Sequence, residues 1–265
     1  MGSPIRNAVA AAAAWGGYFA SRLTDARALR EAMALVRPMD AGHALVRLGG
    51  PGDGGYLVPD DLEGIAACFS PGVAAQAAFE QDLARRGIPI CLADASVTAP
   101  PPGCEGMAFE RRFLGSHDAE PFTTLGAWVA RRPEAAAGDL LLQMDIEGAE
   151  YEVIANVAPA LLARFRIVVV EFHDLDCLAQ PFAHRRIRAA LEKLAGSFVP
   201  VHLHPNNYAG TARVRGLAIP RMLEATFLRR DRCRRLVPRT DFPHPLDRDN
   251  VPRKPPCPLP RAWFT

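Results

Sequence analysis

The sequence predicts an α/β protein in which helices cover both faces of a parallel β-sheet. From residue 64 onward, short apolar runs alternate with segments of helical composition, a pattern typical of βαβ units with helices of about 10 to 15 residues. Residues 165–172, FRIVVVEF, are β-branched at their centre, as in a buried strand. Residues 140–151, LLLQMDIEGAEY, indicate a buried strand that ends on carboxylates and is followed by a turn and a helix.

The individual elements follow from periodicity and from turn residues. We expect one or two helices between residues 4 and 38, ended by Pro38. A strand, a glycine loop and a second strand are expected over 45–58. Further strands are predicted over 65–69, 88–92, 107–113, 139–148, 165–172, 198–204 and 223–228, and helices over 74–86, 121–132, 149–163 and 182–195. This divides the chain into an N-terminal helical segment (1–44), an α/β domain (45–228) and a proline-rich extension (229–265), either packed or loose.

Composition narrows the class of protein. The chain has 265 residues, 49% hydrophobic and 23% charged, which suits one large domain with appendages. Its formal net charge of +2 gives no reason to expect a nucleic-acid partner. No run reaches the roughly 18 apolar residues of a membrane span, and an alanine-rich stretch at 8–20 is interpreted as a helix rather than a signal peptide. Six scattered cysteines without a CxxC pair indicate reduced thiols and a cytoplasmic location.

Polar residues recur where the predicted strands end. In an open α/β sheet, ligands bind outside the carboxyl ends of the strands, so this set predicts a site. Each member also has a purely structural interpretation. Asp145 could cap the next helix, and Glu147 could lie in its first turn and interact favourably with the helix dipole. If strand geometry persists to residue 147, Asp145 and Glu147 point to the same face. The set comprises Ser70, Gly72, Asp94, Asp145, Glu147, Glu171, His173, His202, His204, Asn206 and Asn207.

Two chemistries fit these residues. The first is nucleotide-cofactor binding. Gly72 closes a turn after one strand and Asp94 ends the next strand, which is the spacing at which doubly wound folds place an acidic side chain against the ribose of a cofactor. The loop has a single glycine, which suits S-adenosylmethionine, a cofactor without phosphates, better than a dinucleotide. The second chemistry is a divalent metal held by Asp145, Glu171 and His173, a mixed oxygen and nitrogen set that favours Mn, Fe or Zn.

The motifs also resemble a known family. LLLQMDIEGAEYEVI, followed by IVVVEFH, resembles the FkbM family of S-adenosylmethionine-dependent methyltransferases. The blocks DGGYLVPDD, FSPGVAAQAAFEQDLARRGIPICLADAS, FTTLGAWV, HLHPNNYAG and IPRMLEATFLRR agree with a bacterial branch of that family in their order, so the similarity covers roughly 45–248. The resemblance implies a class I methyltransferase with a Rossmann-like sheet of about seven strands.

Residue roles follow partly from position in that resemblance and, for the histidines, from side-chain chemistry. The cofactor-binding residues would be Asp53, Tyr56, Ser70, Gly72, Asp94 and Gly115, with Asp94 on the ribose and the surroundings of Gly115 at the adenine. The catalytic residues would be Asp145, Glu147, His173 and His204, either histidine being a candidate general base for an acceptor hydroxyl.

The predicted function is O-methylation of a hydroxyl group on a small molecule, either a sugar or a secondary metabolite. A second copy of the chain is a further candidate partner. Two alternatives stay open. One is a metal-dependent hydrolase or lyase that uses the same strand-end residues. The other is a non-catalytic binding domain, which the single-glycine loop favours.

Overall fold

The computed structural model describes residues 22–73 and 76–265, together with residues 8, 11, 12, 15 and 16. The strands are β1 (Met39–Asp40), β2 (Leu45–Leu48), β3 (Tyr56–Pro59), β4 (Ile65–Pro71), β5 (Ile90–Ala93), β6 (Ala108–Glu110), β7 (Phe113–Leu114), β8 (Phe122–Thr123), β9 (Asp139–Met144), β10 (Phe165–Phe172), β11 (Phe198–Pro205), β12 (Thr211–Val214), β13 (Leu217–Pro220), β14 (Leu223–Arg229) and β15 (Val237–Pro238). The helices are α1 (Ala26–Ala34), α2 (Ala78–Arg85), α3 (Leu125–Ala130), α4 (Glu150–Asn156), α5 (Pro159–Leu162) and α6 (Pro181–Ser197).

Seven strands form the central sheet, in the order β11-β14-β10-β9-β4-β5-β6. This confirms the predicted Rossmann-like α/β sheet. The expectation of a wholly parallel sheet is wrong, because β14 runs antiparallel to both β10 and β11. The connection from β11 to β14 contains only the β12–β13 hairpin and no crossover helix, and so β14 returns antiparallel beside β11.

The two faces of the sheet bury separate cores. Phe69, Leu142 and Val168 point to one face, where they pack with α1, α3, α4 and α6. Their strand neighbours Cys68 and Leu141 point to the other face, which α2 and the β2–β3 hairpin cover. Successive strand residues alternate between faces, so one set of strands supports both layers.

Several predicted boundaries differ from the structure for local reasons. The strand expected over 139–148 ends at Met144, because Glu147 (φ 55°) and Gly148 (φ 104°) turn the chain. The helix expected over 149–163 is broken after Asn156, since Pro159 starts a new helix and the two residues before it are extended.

The starts of two other helices also differ. The helix expected from Pro121 begins at Leu125, capped by the hydroxyl of Thr124, which accepts a hydrogen bond from the amide of Ala127 at 3.2 Å. At the N-terminus, α1 is capped by Asp25, and most of the helical stretch predicted before it lies outside the described residues.

The chain after β14 packs against the domain in the described structure. β15 pairs with β1, which joins this segment to the residues just after α1. Trp263 is fully buried, and its indole nitrogen donates a hydrogen bond to the carbonyl of Ala218 at 3.0 Å. Asp247 and Asn250 from the same segment reach the ends of β11 and β14.

The described residues contain no helix long and apolar enough to cross a membrane. All six cysteines are described, and all are free thiols.

The C-terminal anchor is testable by substitution. Trp263→Ala removes a fully buried ring and should lower the free energy of unfolding by about 3–5 kcal/mol. Phe182→Ala is the matched control, because that ring is 79% exposed and its loss should change stability by no more than about 0.5 kcal/mol. Urea unfolding of both variants measures the difference, and equal stabilities would contradict the packing described for the C-terminal segment.

Candidate active site

A pocket of about 290 Å³ opens at the carboxyl ends of β4, β5 and β9. Four of the residues predicted from the sequence line it: Gly72, Asp94, Asp145 and Glu147. Aromatic side chains from β7 and β8 form the opposite wall. The remaining lining residues are Ala93, Ser96, Phe113, Leu114, Phe122, Ile146 and Ala149. The pocket therefore combines carboxylates with an apolar wall.

Gly72 brings two strand ends into direct contact. Its φ is +84°, and a Cβ atom there would lie 1.7 Å from the carbonyl oxygen of Asp145. No side chain fits in that space, so the loop after β4 touches the backbone of the loop after β9. Gly72 is thus required for the backbone geometry of Asp145 as well as for the floor of the pocket.

Asp94 is almost fully buried at the end of β5. Its Oδ1 accepts hydrogen bonds from the amide and the hydroxyl of Ser96, at 2.8 and 2.6 Å. These bonds fix the orientation of the carboxylate at the pocket wall.

The other predicted cofactor residues do not line the pocket. Ser70 Oγ lies 2.5 Å from Glu80 Oε1 and 2.7 Å from Gln143 Oε1, and Gln143 donates to the hydroxyl of Tyr56 at 3.3 Å. Burial raises the pKa of Glu80. A protonated Glu80 can donate to Ser70, which in turn donates to Gln143. This buried chain of hydrogen bonds lies beneath the strand ends.

Gly115 and Asp53 lie at the borders of the site. The amide of Gly115 donates to the carbonyl of Thr123 at 2.9 Å, which holds together the two short strands that carry Phe113 and Phe122. Asp53 is exposed in the loop between β2 and β3 and belongs to a carboxylate cluster described below.

His173, which follows β10, is surrounded by three carboxylates. Its Nδ1 lies 2.9 Å from Oε1 of the fully buried Glu150. Its Nε2 lies 3.4 Å from Glu147 Oε2 and 3.7 Å from Asp145 Oδ1. Asp145 and Glu147 therefore converge on one imidazole, although the strand geometry that would align them ends at Met144.

The turn after β9 positions these acids. The amides of Ile146 and Gly148 donate to Glu150 Oε1, at 3.3 and 3.0 Å, so the first residue of α4 closes the turn. The next residue, Tyr151, donates its hydroxyl to the carbonyl of His173 at 2.7 Å. Two consecutive helix residues thus hold the side chain and the backbone of His173.

This arrangement shifts two pKa values. Burial alone would lower the pKa of His173, but the hydrogen bond and charge of Glu150, with the charges of Asp145 and Glu147, raise it to about 9. Burial raises the pKa of Asp145; His173 opposes this, whereas Glu147 and Glu150 add to it, and the result is about 7. At neutral pH the imidazole is therefore charged and Asp145 is close to its titration midpoint.

A second carboxylate cluster lies on the adjacent strands. Asp53, Glu171 and Glu224 each offer one oxygen, and these atoms all lie within 4.8 Å of one another. The metal set predicted from the sequence (Asp145, Glu171, His173) is thus divided. Asp145 and His173 are grouped with Glu147, whereas Glu171 belongs to the second cluster.

The predicted His204 lies beyond that cluster, on β11. Its Nδ1 is 3.7 Å from Asp247, whose carboxylate accepts a hydrogen bond from His202 Nε2 at 2.8 Å. Burial alone would lower the pKa of His204, but Asp247 and Glu224 raise it overall. His204 and Asp247 line a separate cavity of about 210 Å³, walled by the C-terminal segment.

Sequence reasoning missed several residues of this site. Glu150 lies inside the DIEGAEY motif, and Glu224 is the one acid in the strand LEATFLR, so both positions carry a usable sequence signal. Asp247 and Asn250 come from an irregular proline-rich segment whose sequence gave no sign of a contact with the site.

The seven-stranded α/β sheet is consistent with a Rossmann-like methyltransferase fold. Residues 123–197 match the family model described as the Methyltransferase FkbM domain, which confirms the resemblance to that family over the stretch holding DIEGAEYEVI and IVVVEFH. No curated protein matches the chain at a significant level.

The contact at Gly72 generates a stability prediction. Gly72→Ala combines left-handed backbone strain with a clash against a backbone oxygen, so it should cost about 2–5 kcal/mol. Gly87→Ala has a similar φ of +79° and nothing within 4 Å, so it isolates the strain term of about 1–2 kcal/mol. Thermal and urea unfolding compare the two. Equal losses would show that the close approach of Gly72 to Asp145 is not a constraint.

The raised pKa of His173 predicts a pH dependence of stability. A pKa raised from 6.5 to about 9 means that the folded state binds the proton more tightly than the unfolded chain. The resulting stabilisation is complete below pH 6.5 and is lost as pH rises through 9, an effect of roughly 1–3 kcal/mol. Glu150→Gln should flatten this slope, whereas Glu152→Gln, an exposed neighbour on the same helix, should keep it. An unchanged slope in Glu150→Gln, measured by urea unfolding across this pH range, would contradict the assignment.

Proposed function

We propose that the protein is an S-adenosylmethionine-dependent methyltransferase that methylates a hydroxyl group of a small molecule, a sugar or a secondary metabolite. One observation carries the proposal: a single pocket at the sheet edge joins Asp94 to Asp145 and Glu147, within a chain that matches the Methyltransferase FkbM domain.

The pocket suits this methyl donor on chemical grounds. The donor has a ribose diol, a planar base and a cationic sulfur, but no phosphate groups. Asp94 would accept hydrogen bonds from the ribose, Phe113 and Phe122 would contact the base, and the carboxylates of Asp145 and Glu147 would favour the positive charge. A single glycine after β4 is sufficient, because no pyrophosphate must be cradled by backbone amides.

When bound, the donor supplies an electrophilic methyl group, so the protein must align an acceptor oxygen and remove its proton. We assign proton uptake to Asp145. Its pKa near 7 matches a general base at neutral pH, and its Oδ1 is buried with no hydrogen-bond partner among the described residues.

The histidines have other roles in this proposal. The pKa of His173, raised to about 9, keeps its imidazole charged at neutral pH, which makes it a poor proton acceptor. Asp247 and Glu224 also raise the pKa of His204. His173 instead lowers the pKa of Asp145 and orients its carboxylate, with Glu150 holding the far side of the ring. His204 has a buried Nε2 without a partner among the described residues, and this atom could donate to an acceptor oxygen.

Donor binding can be tested without knowing the acceptor. The chain should bind S-adenosylhomocysteine in calorimetry, and Asp94→Ala should weaken binding roughly 10- to 100-fold through loss of charge-assisted hydrogen bonds. Asp60→Ala removes an exposed acid outside the pocket lining and is the matched control, with unchanged affinity. Absence of binding to the wild-type chain would contradict the proposed function. Unchanged affinity in Asp94→Ala would remove only the ribose assignment.

A further inference from the structure

Three carboxylates lie close together at one edge of the sheet. Glu171 comes from β10, Glu224 from β14, and Asp53 from the loop between β2 and β3. Glu171 and Glu224 are directly opposite each other in the antiparallel register, and their side chains are 2% and 6% exposed. Like charges placed opposite each other across two strands destabilise a sheet. Asp53 adds a third carboxylate from the hairpin above them.

Neutral amides, rather than cations, contact these acids. Asn206 donates to Glu171 Oε1 at 2.8 Å. Asn250 donates to Glu224 Oε1 at 2.5 Å and to Asp53 Oδ1 at 3.0 Å. No ion pair joins any of the three carboxylates to an Arg, Lys or His in the part of the chain that the structure describes. Burial raises the pKa of Glu224 overall, and the charges of His204 and Arg47 oppose this shift without forming an ion pair with it.

Two buried oxygen atoms at this cluster have no hydrogen-bond partner among the residues that the structure describes. Glu171 Oε2 accepts no hydrogen bond from the described residues, although its side chain is almost fully buried. Asn250 Oδ1 is also unpartnered, in an amide that touches both Asp53 and Glu224. A buried carboxylate oxygen without a donor costs about 1–3 kcal/mol or more, so a cationic ligand would satisfy a group that this fold leaves unsatisfied.

We propose that Asp53, Glu171 and Glu224 form a divalent-cation site. Two oxygens bound to one ion at about 2.3–2.6 Å can be at most about 5 Å apart, and the three carboxylate oxygens, which all lie within 4.8 Å of one another, meet that limit. Carboxylate and carbonyl oxygens suit Mg²⁺, Ca²⁺ or Mn²⁺ rather than zinc. The site differs from the Asp145–Glu147–His173 cluster, which includes a nitrogen ligand and whose imidazole is charged at neutral pH.

The ion would lie beside the proton-accepting residue. The negative charge of Asp145 raises the pKa of Glu171, and that of Asp53 raises the pKa of Asp145, so an acceptor oxygen bound to the ion would approach Asp145. This role in holding the acceptor rests on the proposed function. Binding of the ion itself does not.

Calorimetry with MnCl₂ on the full chain at pH 7.5 tests the site. The wild-type chain should bind one Mn²⁺, and both Glu171→Gln and Glu224→Gln should weaken binding on the order of tenfold or more, because each removes one ligand charge. Glu147→Gln changes the neighbouring cluster and should leave Mn²⁺ affinity within about twofold. Glu63→Gln, an exposed acid, is a second control.

Thermal unfolding shows whether the variants fold. Both glutamine variants relieve charge repulsion, so their melting temperatures without metal should equal or exceed that of the wild-type chain, and Mn²⁺ should raise only the wild-type value.

No Mn²⁺ binding to the wild-type chain at millimolar concentration would overturn the proposal, and the two acids would then share a proton instead. Loss of binding in Glu147→Gln but not in Glu224→Gln would also overturn it. If the wild-type chain binds Mn²⁺ but not S-adenosylhomocysteine, the methyltransferase proposal is refuted and the cation site is not.

Discussion

The hydrogen bond between Glu150 and His173 is the contact on which the candidate active site depends. Glu150 is fully buried at the start of α4, and it holds the turn amides of Ile146 and Gly148 as well as the imidazole. Tyr151 fixes the backbone of His173 from the next position. A buried carboxylate without a cationic partner would be costly, so the charged imidazole and the acid stabilise each other. Asp145 and Glu147 then converge on the free side of the ring.

The sheet edge is divided between two chemical environments. On the side of β4 and β5, Asp94 and the aromatic side chains of β7 and β8 line part of the pocket of about 290 Å³. On the side of β10 and β14, one group of acids lies around His173, and a second group contains the buried Glu171 and Glu224. The two sides meet at Asp145, whose backbone touches Gly72 and whose side chain reaches His173. In the methyl transfer proposed above, the donor would lie on the first side and the acceptor on the second.

Much of this arrangement could be predicted from local sequence. The run 165–172 and the DIEGAEY motif identified β10 and the site at the end of β9, because apolar periodicity and strand-end polarity are local signals. The antiparallel direction of β14 depends on the connection before it, which strand patterns do not encode. Ser70 and Tyr56 were expected at the cofactor, but which face a strand-end side chain adopts depends on packing against Glu80 and Gln143. Asp247 and Asn250 arrive from a segment without periodicity, so tertiary contacts alone position them.

The ionisation state of His173 is the centre of this account, because it decides whether this residue or Asp145 can accept a proton. The most direct measurement is an NMR titration of the His173 ring in the full chain. Glu150→Gln is the comparison variant, in which the pKa of His173 should fall. The account predicts a pKa of about 9, with both ring nitrogens protonated at pH 7.5. A neutral ring with a single protonated nitrogen at that pH, and a pKa at or below 6.5, would contradict it.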